Sequence, residues 1–171
     1  MENRVTMIGC VDVHYEDEFA VAACVLFRRW ADASLADAIT AGVEGVGAYK
    51  PGEFFRRELK PLLAVLARVP GPLRAVVMDG YVWLDAAGKP GLGAHLYRRL
   101  GESVPVIGVA KSRFGEEGFA VPVLRGQSRR PLYVTAAGFP VRRAAACILT
   151  MHGRYRLPTM IKLADRLCRT G

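Results

Sequence analysis

No stretch of this chain is long and apolar enough to cross a bilayer, which needs about 20 residues. The N-terminus lacks the charged start, apolar core and small-residue site of a secretory signal, so the chain is expected to act in the cytoplasm. Cysteine is sparse, with four among 171 residues, at Cys10, Cys24, Cys147 and Cys168. None forms a C-x-x-C pair, which speaks against a zinc site and for buried free thiols. Histidine is sparser still, at three residues. No internal repeat, low-complexity tract or composition shift marks a second domain, and residues 1–171 read as one domain of ordinary size. Acidic residues are also in deficit. Lys and Arg number 24 against 16 Asp and Glu, a net charge of +8. That excess favours a polyanionic partner such as nucleic acid, although the Arg pairs are scattered and only a fold can gather them. About half the residues are apolar, which excludes wholesale disorder.

The organising stretch runs from Met7 to Phe27. Two nearly continuous apolar runs flank the acidic turn Glu16-Asp17-Glu18, the pattern of a β-hairpin buried on both faces. Ala36 to Val46 is a weaker strand candidate, and Tyr49 to Glu53 is a loop by its Gly and Pro. Phe54 to Arg68 places Phe55, Leu59, Leu62, Leu63 and Leu66 on one helical face. Pro61 inside it predicts a kink or break. Leu73 to Gly80 and Val104 to Ala110 read as buried strands, separated by a turn at Gly88–Gly91 and a helix over Leu92–Leu100. Short strands follow at Phe119–Leu124 and Pro131–Thr135, then helices at Val141–Met151 and Pro158–Arg169. The sum is an α/β fold: a mixed sheet opening with an antiparallel hairpin, continuing with parallel crossovers, and covered by helices on both faces.

Ligands on such sheets sit beyond the carboxyl ends of the parallel strands. Asp79 and Lys111 fall at such ends, and Asp12 lies near the end of the first strand. Glu58, on the helix after the Gly-Pro loop, can lean over the same place. Singly, each has an ordinary explanation: a turn former, a solvated helix carboxylate, an exposed lysine. Together they describe a carboxylate cluster that demands a counter-cation, since two unit charges about 4 Å apart repel by roughly 4 kcal/mol at an effective dielectric of 20. Oxygen donors with few imidazoles favour Mg²⁺ or Mn²⁺, and such a site in a basic surround suits phosphodiester hydrolysis.

The same residues carry a family resemblance. Gly9-Cys10-Val11-Asp12-Val13, Tyr49-Lys50-Pro51-Gly52, Phe55-Arg56-Arg57-Glu58, Val77-Met78-Asp79-Gly80, Gly91-Leu92-Gly93-Ala94-His95, Ile107-Gly108-Val109-Ala110-Lys111-Ser112 and Tyr155-Arg156-Leu157-Pro158 through Leu163-Ala164-Asp165 stand in the order and spacing of endonuclease V. The chain resembles that inosine-directed nuclease family over most of its length. The resemblance implies an RNase H-like fold, with Asp12, Glu58 and Asp79 holding the divalent metal, Asp165 at a terminal position near it, and Lys111 assisting catalysis. It implies cleavage one nucleotide beyond a deaminated base, leaving 3′-hydroxyl and 5′-phosphate ends, as in DNA repair. Tyr49, Pro51 and Gly52 would form the wedge that fills the gap left by the extruded base. Backbone groups around Gly52, Gly80 and Gly91 would face the pocket for hypoxanthine, and His95 would be a further substrate-binding residue. The chain departs from the family pattern at Lys50, where an apolar residue is usual, and at Tyr81-Val82, where His-Gly is usual. Histidines are also replaced near Asp85 and at Phe139, and the leading helix of the family is not expected before the first strand. The expected protein is a monomeric, Mg²⁺-dependent endonuclease on DNA or RNA containing deaminated bases. The alternatives are a relative that binds nucleic acid with little cleavage, and an interaction module whose charge is incidental.

Overall fold

The computed structural model describes residues 5–47, 50–51, 54–116 and 118–171, with the side chain of Phe54 excepted. Its elements in chain order are β1 (Met7–Glu16), β2 (Phe19–Phe27), β3 (Asp37–Glu44), α1 (Phe54–Leu66), β4 (Leu73–Asp79), α2 (Leu92–Arg99), β5 (Val106–Ala110), β6 (Val121–Val123), β7 (Leu132–Ala137), α3 (Val141–Thr150) and α4 (Thr159–Thr170). The strands form one seven-stranded sheet in the order β3-β2-β1-β4-β5-β7-β6. The opening hairpin pairs Asp12 with Ala23 and turns at Asp17, whose φ of 54° closes the tight connection. β1, β4 and β5 run parallel, while β7 returns antiparallel on β5. The α/β sheet of the sequence reading is therefore the observed one.

Burial explains why these residues make these elements. Every residue of β5 is buried, as are Ala22 to Phe27 of β2, because both faces of the sheet are covered. Strand alternation sends Cys10, Val77 and Val109 to the face under α3 and α4, where Ala144, Ile148, Met160 and Ala164 meet them. It sends Val11, Val76 and Met78 to the opposite face, against Leu59, Leu62, Val65, Ala94 and Leu96 of α1 and α2. Of the kink or break expected at Pro61, the break does not occur, and α1 continues through it. Pro61 cannot donate to the Arg57 carbonyl. Leu59, Leu62, Val65 and Leu66 are nevertheless buried, and that tertiary packing outweighs the lost hydrogen bond. The four cysteines are free thiols; Cys10, Cys24 and Cys168 are buried, and Cys147 only partly so. Among the described residues no helix is long and apolar enough to cross a membrane.

Gly80 and Gly108 tie the fold to the site. Gly80 takes φ +116°, a conformation that side chains rarely adopt. A Cβ on Gly108 would stand 2.5 Å from the Gly80 carbonyl oxygen. The glycine of the Gly-Val-Ala-Lys run thus lets the chain leaving β4 fold back against β5. Val82 N–H then donates to Thr135 Oγ1 at 2.8 Å, and Trp83 Nε1 donates to the Ala136 carbonyl at 2.9 Å.

Candidate active site

Alternation decides which carboxylates share a face. Asp12 follows Cys10 by two and Asp79 follows Val77 by two, so both project toward the face covered by α4. Glu58 arrives from α1 on the other face. The three meet at the strand ends, where Asp12, Glu58 and Asp79 line one small cavity of about 60 Å³ with Val11, Val13, Leu62, Met78 and Leu92. Lys111, at the end of β5, donates to Asp79 Oδ2 at 3.0 Å. Asp12 also borders a second, larger cavity of about 340 Å³ lined by Lys111, Lys162, Asp165 and Arg169. There Asp12, Asp165 and Cys168 each offer a donor atom within 4.8 Å of the other two. Asp165 accepts a hydrogen bond from Arg169 Nε at 2.8 Å, and the Cys168 thiol donates to the Asp165 carbonyl at 3.1 Å.

The electrostatics match this crowding. Burial raises the Asp12 carboxyl to about 6, opposed by the Val13 N–H at 2.9 Å; Asp79 and Asp165 push it further up and Lys111 opposes them. Burial likewise raises Glu58 to about 7, with Asp12 and Asp79 adding to it and Arg57 opposing. Burial would lower the Lys111 ammonium, but its hydrogen bond to Asp79 and the fields of Asp79, Asp12 and Asp165 leave it raised. Burial lifts the Cys168 thiol to about 12, and Asp12 and Asp165 contribute. Burial is thus the largest cause at both carboxyls, and the neighbouring carboxylates add to it. The donors near the strand ends are carboxylate oxygens, with no imidazole among them. A hard divalent cation fits this set by chemistry and by charge.

A family model described as Endonuclease V matches residues 1–133. The protein called Endonuclease V in Streptomyces avermitilis is 33% identical over 184 residues, spanning 93% of this chain and 77% of the relative. This chain belongs to the endonuclease V family. The crystal structure of the endonuclease V from S. avermitilis superposes with a TM-score of 0.76 at 30% identity, covering 97% of this chain and 81% of that one. The endonuclease V of Ciona intestinalis, crystallised with a 23-mer DNA containing an inosine followed by a ribo-adenosine, shares the fold at a TM-score of 0.78 and 20% identity, over 99% of this chain and 86% of that one. The chain is thus a member of a nuclease family, with that family's fold.

The structure brings Asp12, Glu58, Asp79 and Lys111 together, as the sequence reading expected of this endonuclease V relative, and places Asp165 beside Asp12. Other expected residues stand apart. His95 stacks on Phe55 of α1, ring centroids 3.8 Å apart at 11°, on the α1–α2 seam. Gly91 is buried at the start of α2, where a Cβ would meet the Tyr81 carbonyl at 2.6 Å, so close packing accounts for it. Pro51 is exposed in a turn. Tyr49 and Gly52 lie outside the described residues.

Three features of this endonuclease V relative escaped the sequence reading. Cys168 reads from the sequence as a core thiol, yet it stands one helical turn beyond Asp165 and joins its donor group. Arg156 donates to the carbonyls of Lys111, Pro131 and Arg130, bracing the end of β5. Arg125, only 4% exposed, donates to the carbonyls of Met151, Gly153, Tyr155 and Arg156, and so holds the α3–α4 connection. The Arg156 signal was present in Tyr155-Arg156-Leu157-Pro158, but its carbonyl partners are 25 to 45 residues away in sequence.

Proposed function

We propose that this protein is a divalent-metal-dependent endonuclease that cuts a phosphodiester one nucleotide 3′ to a deaminated base, inosine foremost, in DNA or RNA, leaving 3′-hydroxyl and 5′-phosphate ends. The observation that carries it is the convergence of Asp12, Glu58 and Asp79 on one small cavity with Lys111 beside it. In this reading Asp12, Glu58 and Asp79 hold Mg²⁺ or Mn²⁺, with Asp165 on its flank. The ion, when bound, supplies Lewis-acid polarisation of the phosphate and a lowered pKa for water. Asp12 and Glu58 must give up their protons before they can act as ligands, so the site loads more fully as pH rises toward 7. Lys111 brings its ammonium to a non-bridging phosphate oxygen as negative charge gathers there. Arg156 keeps the Lys111 backbone in place for that contact. Gly80, whose backbone is open to close approach, borders the extruded base together with the wedge loop. The protein works as a monomer in the cytoplasm, in the repair or quality control of nucleic acid.

The test is a labelled single strand containing one inosine, incubated with Mg²⁺ or Mn²⁺. A nick at the second phosphodiester 3′ to inosine, abolished by Asp79→Ala, supports the reading. No nick, or an undiminished nick by that variant, rejects it. A second reading, a nucleic-acid-binding relative of weak turnover, draws on two observations. Asp79 is engaged by Lys111, and Glu58 and Asp79 are not members of the tight Asp12–Asp165–Cys168 donor group. Strongly salt-dependent binding without cleavage under any divalent ion favours that reading.

A further inference from the structure

Helix α4 forms one wall of the cavity of about 340 Å³ beside Asp12, and the reaction above gives the cations of that helix no part. We propose that this wall is a track for the sugar–phosphate backbone on the 3′ side of the cut, held by Lys162 and Arg166, so that the protein grips its strand downstream of the deaminated base. This rests on the nuclease reading above.

Lys162, Arg166 and Arg169 recur at i, i+4 and i+7, which sets them on one face of α4. All three are exposed, and they line the cavity together with Lys111. The acids that line it are Asp12, at the metal site, and Asp165. Arg169 already neutralises Asp165 through Nε at 2.8 Å, so Lys162 and Arg166 keep their charge for a ligand. The Lys162 ammonium is held in place: it lies 4.7 Å from the centre of the Tyr155 ring, and the Arg154 guanidinium lies 4.9 Å from the same ring. Tyr155 is 54% exposed, so the ring keeps these cations at the surface. A cation held against an aromatic face loses less freedom when it takes up a phosphate.

Chemistry then selects the ligand. Beside the charged rim the wall is aliphatic, at Leu157 and Ile161, and among the described residues no aromatic ring lines the cavity. Phosphate oxygens match the cations and the carbon face of a sugar matches the aliphatic pair, while a base finds nothing to stack on. Lys162 and Arg169 stand about 10 Å apart along the helix axis, against about 34 Å for one turn of duplex. The stripe therefore follows about two phosphates of one strand and reads no sequence. Position fixes the polarity. The wedge loop, Gly80 and Gly91, the expected neighbours of the extruded base, lead into the α1–α2 layer, whereas α4 covers the other face of the sheet. The cut lies 3′ to that base, so a strand that crosses from the base to the metal continues in the 3′ direction along α4.

The test uses the full chain in EDTA and labelled strands with one inosine, in which one phosphate at a time is replaced by an uncharged methylphosphonate. Binding is read by fluorescence anisotropy. The parent should lose about fivefold in affinity when the replaced phosphate is one of those just 3′ to the cut. Lys162→Ala and Arg166→Ala should each weaken binding of the unmodified strand about fivefold and flatten the salt slope by about 0.7. Each variant should also be indifferent to replacement of the phosphate that its residue holds. Arg166→Lys should restore binding, which separates lost charge from lost structure. Arg28→Ala removes an exposed charge beyond β2, at the end of the sheet away from Asp12, and should bind within about twofold of the parent. Lys162 and Arg166 variants that bind as the parent does, coupling to phosphates 5′ to inosine, or equal coupling at every phosphate overturns the proposal, as does equal competition by a polyglutamate peptide. Coupling confined to the 3′ side in a protein that never cleaves under Mg²⁺ or Mn²⁺ supports the track and rejects the nuclease reading. Cleavage without such coupling rejects the track alone.

Discussion

Glu58 is held close to neutrality by its surroundings: burial and two neighbouring carboxylates raise its acid to about 7. Removing that charge in the metal-free protein should relieve repulsion. Glu58→Gln is expected to raise the thermal midpoint at pH 8 in EDTA, by up to about 2 kcal/mol of stability, and to change little at pH 5, where the parent is already protonated. The same variant should lose metal-dependent cleavage by about a hundredfold or more, since an amide cannot replace a carboxylate ligand. Calorimetry in EDTA beside a nicking assay separates the two effects. Arg156 makes the complementary case. Arg156→Ala leaves the carbonyls of Lys111, Pro131 and Arg130 without their donor. It should cost about 1–3 kcal/mol of stability and lower kcat far more than it raises KM. Arg156→Lys should rescue little, because a single ammonium cannot reproduce a planar fork on three carbonyls. A lysine variant with parental kcat would end the positioning role. The candidate carboxylates Asp12 and Asp79 were legible in the linear order because a charge in or at the end of an apolar run needs a reason. Arg156 and Arg125 were not, because their carbonyl partners come from other elements and a backbone acceptor has no sequence signature.

Elements decide how these residues meet. The chain leaving β4 folds back only because β5 carries a glycine where a Cβ would lie 2.5 Å from the Gly80 oxygen. Gly108→Ala must therefore push the Gly80–Val82 segment away from β5. We expect a loss of about 2–4 kcal/mol and broken Val82–Thr135 contact, read as faster amide exchange at Val82. Unchanged exchange there would refute the account. The α3–α4 connection depends on a buried guanidinium: Arg125 holds four carbonyls of residues 151–156. Arg125→Met should fray the start of α4, read as faster amide exchange at Thr159 and Lys162, whose N–H groups bond the His152 and Pro158 carbonyls. Strand boundaries were readable from apolar runs flanked by Gly and Pro to within one or two residues in most elements. The fate of Pro61 was not, since local propensity argues for a break while burial of Leu59, Leu62 and Val65 on the sheet keeps the helix whole.

Over the whole molecule, the raised carboxyls link stability to pH. Asp12 and Glu58 bind protons more tightly folded than unfolded, so between about pH 4 and 7 the native chain holds more protons. Stability of the metal-free protein should fall as pH rises through that window and level off above it. The upper bound is about 3 kcal/mol for each group. Millimolar Mg²⁺ should reverse the trend, because a bound cation favours the ionised pair. Denaturant melts at pH 5 and pH 8, with EDTA or Mg²⁺, test both signs, and greater stability at pH 8 in EDTA would contradict them. The net charge of +8 adds a steep salt dependence to nucleic-acid binding, with each phosphate neutralised contributing a slope of about −0.7 to −0.9 in log K against log salt.

Linear order alone determined the class of sheet, the hairpin at its start and the acids at strand ends, because burial period and charge placement are local properties of a chain. Tertiary structure alone decided their grouping. Alternation turns Asp12 and Asp79 toward α4, which adds Asp165 and Cys168 to their company, while Glu58 reaches in from the opposite layer. It also brings the rings of Tyr81, Phe114 and Phe119 together. Most of those are through-space distances between residues from different elements. They are set only when two helical layers close on the sheet.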